Sequence, residues 1–197
     1  MKIVIINYGA GNIQSIQFAL QRLGYEGILS NNIAEIQSAD KVIFPGVGEA
    51  SSAMKKLRES GLDKLIPNLK QPVLGICLGM QLMCNSSEEG NTIGLGIFDV
   101  DVIKFSTAVK VPQMGWNIIY NLKSNLFSGI SENEYMYLVH SYYAPKCAET
   151  IAFTNYEKEY SSALKKDNFY GVQFHPEKSG KIGEQILFNF LNLKSLI

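Results

Sequence analysis

The stretch Val73-Leu74-Gly75-Ile76-Cys77-Leu78-Gly79-Met80-Gln81 restricts what this chain can become more than any other. An apolar run suited to a buried strand ends in Gly-x-Cys-x-Gly and passes at once into a helix-compatible segment. So sharp a strand-to-helix turn leaves no room for side chains, and glycines at 75 and 79 clear that space. The turn pushes the thiol outward. The helix start sets N–H groups and a positive dipole end beside it, a setting that suits a thiolate nucleophile. The same residues also fit a buried cysteine between two core elements, as most free cysteines are. From this stretch alone both readings stand.

At 197 residues the chain is long enough for one domain, 1–197, with a sizeable core. Eighteen basic residues balance eighteen acidic ones, so no global field recruits nucleic acid or an anionic membrane. No apolar run reaches the length of a spanning helix. Met1-Lys2-Ile3-Val4-Ile5-Ile6-Asn7 is too brief for a signal peptide and reads as a first core strand. Three cysteines (Cys77, Cys84, Cys147) without a framework spacing suit a reducing cytoplasm. With two histidines and no CxxC, a metal site has little to build on, and no cofactor is implied.

Upstream of the cysteine, strands alternate with helices. Lys2–Ile6 is a β-branched run, ending in Asn7-Tyr8-Gly9-Ala10-Gly11-Asn12, where Asn12 is placed to cap a helix carrying Ile13, Ile16, Leu20 and Leu23. The two glycines there lack the rest of a phosphate-loop pattern, so a tight turn is the better reading. A short strand near Ile28-Leu29, a helix opened by an Asn32/Glu35 capping box, a strand at Lys41–Phe44 and a helix over 50–59 follow. This alternation predicts right-handed βαβ units and a parallel sheet, whose strand ends would gather Gly11, Pro45–Gly48 and Cys77. Downstream, strand-like runs at 98–105, 116–120, 135–140, 151–156, 161–164 and 169–173 suggest antiparallel additions to that sheet. Residues 180–193 return to helix.

A cysteine nucleophile needs a base, and the base needs an orienting partner. Only His140 and His175 can serve as the base. His175 lies in Gln173-Phe174-His175-Pro176-Glu177, and in extended backbone residues two apart share a side, which places Glu177 beside it. Glu177 would then accept from the ring N–H and steady the imidazolium.

Gly-Ile-Cys-Leu-Gly-Met-Gln (75–81) and Gln-Phe-His-Pro-Glu-Lys-Ser (173–179) resemble the two signature segments of class I (triad) glutamine amidotransferases, over nearly the whole chain. Pro45–Gly48, Val111–Asn117 and Leu138–Tyr143 are similar to segments of one branch, the glutaminase subunits of imidazole glycerol phosphate synthases. The resemblance implies a three-layer α/β sandwich with a mixed, mostly parallel open sheet of flavodoxin-like type. It implies glutamine as substrate, hydrolysed to glutamate and ammonia through Cys77, His175 and Glu177. The oxyanion would be held by Leu78 N–H and by the Gly46-Val47-Gly48 segment, which in the family rearranges to complete the hole. Gln81 and Glu89 match glutamine-binding positions, and His140-Ser141-Tyr142 the cradle for its amino-acid end.

Nothing in the chain looks able to bind an ammonia acceptor. The resemblance implies a separate (β/α)8-barrel cyclase subunit, forming a heterodimer, that uses the ammonia to make imidazole glycerol phosphate and an aminoimidazole carboxamide ribonucleotide for histidine biosynthesis. Met114, Trp116, Tyr137 and Lys178 are candidates for that interface, against a plainer reading of three core side chains and a solvated lysine. Asn7 and Gln113 stand where the family often has Asp and His. They leave open a paralogue feeding a surface-sugar amidotransferase. Glutaminases of other synthases, a cysteine hydrolase with a similar elbow, and a flavodoxin-like binding module are the remaining alternatives.

Overall fold

The computed structural model describes residues 1–9 and 11–194; Ala10 of the first turn and residues 195–197 lie outside it. The chain runs β1 (Ile3–Ile6), α1 (Ile13–Arg22), β2 (Gly27–Ser30), α2 (Ile33–Gln37), β3 (Lys41–Phe44), α3 (Ala50–Glu59), α4 (Leu62–Leu65) and β4 (Val73–Ile76). It continues with α5 (Leu78–Leu82), β5 (Cys84–Ser87), β6 (Thr92–Ile93), β7 (Phe98–Lys104), β8 (Gln113–Ile119), β9 (Glu134–His140) and β10 (Tyr142–Pro145). Last come β11 (Thr150–Asn155), β12 (Glu159–Lys166), β13 (Phe169–Val172) and α6 (Gly180–Leu191).

The main sheet runs β2-β1-β3-β4-β13-β12-β10-β7-β5-β6, with β11 also paired to β12. β2, β1, β3, β4 and β13 are mutually parallel. At β12 the pairing turns antiparallel, while β5 and β7 are again parallel. Alternate residues of the central strands feed two cores. Val4, Ile6, Val42, Phe44 and Val73 face α2, α3 and α4, and Ile3, Ile5, Ile43, Leu74 and Ile76 face α1 and α6. The expected three-layer sandwich and mixed sheet are therefore present, because strands covered on both faces carry apolar residues at every position.

Three local expectations are corrected. β8 and β9 do not join the main sheet; they pair with each other from Gln113↔His140 to Ile119↔Glu134 as a separate ribbon. A bridge at Tyr120↔Phe153 tethers its far end. Asn12 makes no side-chain cap to α1. Asn32 does cap α2 through Glu35 N at 3.0 Å, but its own N–H goes to Ser30 Oγ at 3.1 Å rather than back to Glu35. No helix among the described residues is long and apolar enough to cross a membrane.

Candidate active site

β4 delivers the chain to Cys77, whose φ of 54° and ψ of −111° lie where L-residues are strained. Such a conformation persists only if its surroundings over-determine it. Cys77 N–H donates to Val172 O at 2.8 Å, and Cys77 O accepts from Gln81 N–H at 3.2 Å. The glycine at 79 lies against β3: a Cβ there would sit 2.0 Å from Phe44 O. α5 is only five residues long, so first-turn N–H groups, rather than a long aligned dipole, form the positive end beside the sulfur.

His175 follows β13 and is 2% exposed. Its Nδ1 lies 2.8 Å from Glu177 Oε1. The reason differs from the sequence argument: residues 176–178 form a 3-10 turn, not extended chain, and that turn folds the carboxylate back onto the ring. The backbone of His175 is held on both sides. Its N–H donates to Tyr137 O at 2.9 Å, and Ser179 Oγ donates to its carbonyl at 2.7 Å. Burial would lower the imidazole, but the Cys77 sulfur and the Glu177 carboxylate outweigh it and hold His175 above its ordinary range. Nε2 has no hydrogen-bond partner among the described residues and is the nitrogen available to the sulfur.

Both side chains open on a cavity of about 270 Å³. Val47, Gly48, Leu78, Gln81, Glu89, His140, Ser141 and Tyr142 line it, so most of the expected binding residues converge there. A larger open groove of about 1050 Å³, around Lys123 and Lys165, shares none of them. Gly46 lies just beneath, where a Cβ would meet Gly79 N at 2.6 Å and Tyr8 Oη at 2.9 Å. Glu177 stands behind His175 and does not reach the cavity wall. Glu89 accepts from Ala50 N–H at 2.9 Å, while burial, with Glu49 nearby, raises its carboxyl above the usual range.

The expected interface residues lie elsewhere. Met114 and Trp116 are 65% and 56% exposed, so they are not core. Trp116 meets the Tyr137 ring edge-on at 6.0 Å, and Lys178 Nζ lies 5.8 Å from that ring. Met114, Trp116 and Tyr137 belong to the ribbon and Lys178 to the turn after His175, and the Tyr137 ring lies 6.4 Å from His175.

Sequence reasoning missed a buried polar set behind the cavity. Gln81 Nε2 donates to Tyr142 O and to Gln173 Oε1, both at 2.8 Å. Both its N–H groups are thereby used, which leaves Oε1 as the atom it can offer the cavity. His140 Nδ1 lies 2.8 Å from Tyr142 O, and its Nε2 is 3.2 Å from Tyr160 Oη, which is itself 2.9 Å from Gln113 Oε1. Burial lowers His140 to about 4, despite the Tyr142 carbonyl, so the ring is neutral and Nδ1 carries the proton. One hydroxyl proton cannot serve two acceptors. The Tyr160 proton goes to His140 Nε2, and the Gln113 amide turns its NH2 to the hydroxyl oxygen. The one available signal was Gln113 itself, a departure from the expected His.

The model of the family "Glutamine amidotransferase class-I" matches residues 4–193. The imidazole glycerol phosphate synthase subunit HisH of Bacteroides fragilis (strain YCH46) is 57% identical over 196 residues, covering 98% of this chain and 100% of the relative. The HisH subunit of Yersinia pestis is 48% identical over 196 residues, with the same coverage of 98% and 100%. Among solved structures, that of PurLQS from Thermotoga maritima holds a chain that matches with a TM-score of 0.73 at 14% identity, over 97% of this chain and 97% of that one. That last likeness concerns the fold alone.

Proposed function

The chain belongs to the class-I glutamine amidotransferase family, and from that premise we propose that it is the glutaminase subunit of an imidazole glycerol phosphate synthase. It hydrolyses glutamine to glutamate and ammonia and passes the ammonia to a (β/α)8-barrel cyclase subunit in a cytoplasmic heterodimer. That partner makes imidazole glycerol phosphate and an aminoimidazole carboxamide ribonucleotide, a step of histidine biosynthesis. The observation that carries the reading is the convergence, on one small cavity, of a positive-φ cysteine and a buried histidine backed by a carboxylate at 2.8 Å.

Cys77 Sγ attacks the side-chain amide carbon of glutamine. The carbonyl oxygen takes up negative charge and is held by Leu78 N–H, with a second donor from the Gly46-Val47-Gly48 segment. Each such donor is worth roughly 3 kcal/mol of barrier. His175 Nε2 passes a proton to the departing nitrogen, and ammonia leaves behind a γ-glutamyl thioester. The neutral imidazole then takes a proton from water, whose oxygen attacks the thioester; glutamate forms and the thiol is regenerated. Glu177 keeps Nδ1 protonated throughout and offsets the imidazolium charge. Gln81 Oε1, Glu89 and the 140–142 backbone orient the substrate. The exposed ribbon face of Met114 and Trp116, with Tyr137 and Lys178, receives the barrel.

The test is glutamate release from glutamine, with and without the cyclase partner and its nucleotide ligand. The complex should turn over at least about a thousandfold faster than the same complex carrying Cys77→Ala. Equal rates would refute the assignment. Rescue of a histidine auxotroph lacking this subunit checks the pathway, and failure there with an intact glutaminase would point to the sugar-amidating paralogue.

A further inference from the structure

Gln173 is fully buried, precedes the base by two residues and is absent from the chemistry derived above. Its side chain nevertheless lies between the two halves of the site. Gln173 Nε2 is 3.7 Å from Cys77 Sγ, within reach of an N–H···S contact, and its Oε1 accepts from Gln81 Nε2 at 2.8 Å. The amide cannot be reversed. Gln81 has only N–H groups to give in that direction, since its second N–H is committed to Tyr142 O at 2.8 Å. Oε1 must face Gln81, so NH2 must face the sulfur. Tyr142 O in turn also accepts from His140 Nδ1 at 2.8 Å, and His140 leads through Tyr160 to Gln113 at the start of β8. An unbroken, largely buried polar line thus runs from Cys77 to the base of the exposed ribbon.

We propose that Gln173 is a positioning residue for glutamine hydrolysis: its amide fixes the attacking sulfur and the substrate-binding amide of Gln81 in one relation. This rests on the glutaminase reading. The Cys77 side chain can rotate about χ1; its contact with Val139 O is long, at 3.9 Å, and its other polar neighbour is the His175 imidazole. A donor on a buried amide whose oxygen is already held by Gln81 therefore selects the rotamer from which sulfur faces the substrate carbon. Because the same amide orients Gln81, sulfur and substrate are aligned by one group instead of two independent ones.

The experiment compares wild type with Gln173→Met, of similar volume but without donor or acceptor, each in complex with the cyclase partner. Steady-state glutamate release is read together with rapid-quench trapping of the thioester. We expect kcat to fall at least tenfold while KM for glutamine changes by less than threefold, with thioester formation becoming the slow step. Gln173→Asn keeps a buried amide but is one methylene too short to span both contacts, and should behave like Gln173→Met; it serves if the Met variant fails to fold. Either folded variant keeping kcat within twofold of wild type overturns the proposal, as does a loss confined to KM. If the wild-type complex itself is no faster than its Cys77→Ala counterpart, the glutaminase reading has failed instead.

Discussion

The two walls of the cavity are built by opposite means. On the inner wall, the elbow at Cys77 is clamped between β3 and β13, its strained backbone held by Val172 O and by the close approach of Gly79 to Phe44. The outer wall consists of the Pro45–Gly48 turn, where Val47 is 41% exposed and Gly48 adopts φ of 100° with nothing near its missing side chain. The ribbon is joined to the main sheet by the Tyr120–Phe153 bridge and by side-chain bonds such as Thr154 Oγ1 to Ile118 O at 2.9 Å, and its backbone also clamps His175. A nucleophile must be ready before substrate arrives, whereas a donor that completes the oxyanion hole is useful when its arrival can be controlled. On the proposed reading the nucleophile therefore sits in the sheet interior and the second oxyanion donor on an exposed turn.

Substitutions test that division. The largest effect is expected at Gly79→Ala, where a methyl 2.0 Å from Phe44 O must push β3 and α5 apart. The cost should exceed about 4 kcal/mol, enough to lose most folded protein, as read from urea midpoints or soluble yield. A wild-type-like midpoint would mean that the inner wall yields.

Next is acid sensitivity at His140, which meets Tyr160 Oη and Tyr142 O and feels the charge on His175. Its folded value of about 4 lies below the unfolded value near 6.5, so the unfolded chain binds the extra proton between them. Stability from this group is complete above pH 6.5 and is lost as pH falls toward 4, by about 2 kcal/mol between pH 7 and pH 5. Urea titrations across that range should show the slope, and His140→Gln should flatten it.

At the outer wall, Gly48→Ala meets no atom but forces alanine into a positive φ. A loss of about 1–2 kcal/mol is expected, with glutamate release reduced far more than stability. Unchanged turnover would place the second oxyanion donor elsewhere. The smallest effect on the fold is expected at Trp116→Ala, within about 0.5 kcal/mol in urea, while affinity for the proposed barrel partner, measured by titration calorimetry, drops at least tenfold.

Much of the inner wall was legible in the sequence because burial and sterics write themselves in residue type. Uninterrupted β-branched strands, glycines flanking a cysteine, and a His-Pro-Glu segment each have few structural solutions. What stayed hidden lacked such signatures. Cys84–Ser87 pairs with β7 although its Cys-Asn-Ser-Ser sequence shows no strand pattern, since its partners supply the order. The separate ribbon has the same alternation as a strand added to the main sheet. Gln173, Tyr160 and Gln113 are joined only by tertiary folding, and a lone buried glutamine in a sequence does not say what it bonds to.

The contact of Gly79 with Phe44 has one more consequence. Where backbone touches backbone, the spacing between the Cys77 elbow and the Pro45–Gly48 turn is set by the radii of peptide atoms, not by the sizes of core side chains. Substitution of buried Met54, Leu57 or Ile186 should therefore change stability more than that spacing. The proposed catalytic geometry is in this way insulated from the sizes of the core side chains.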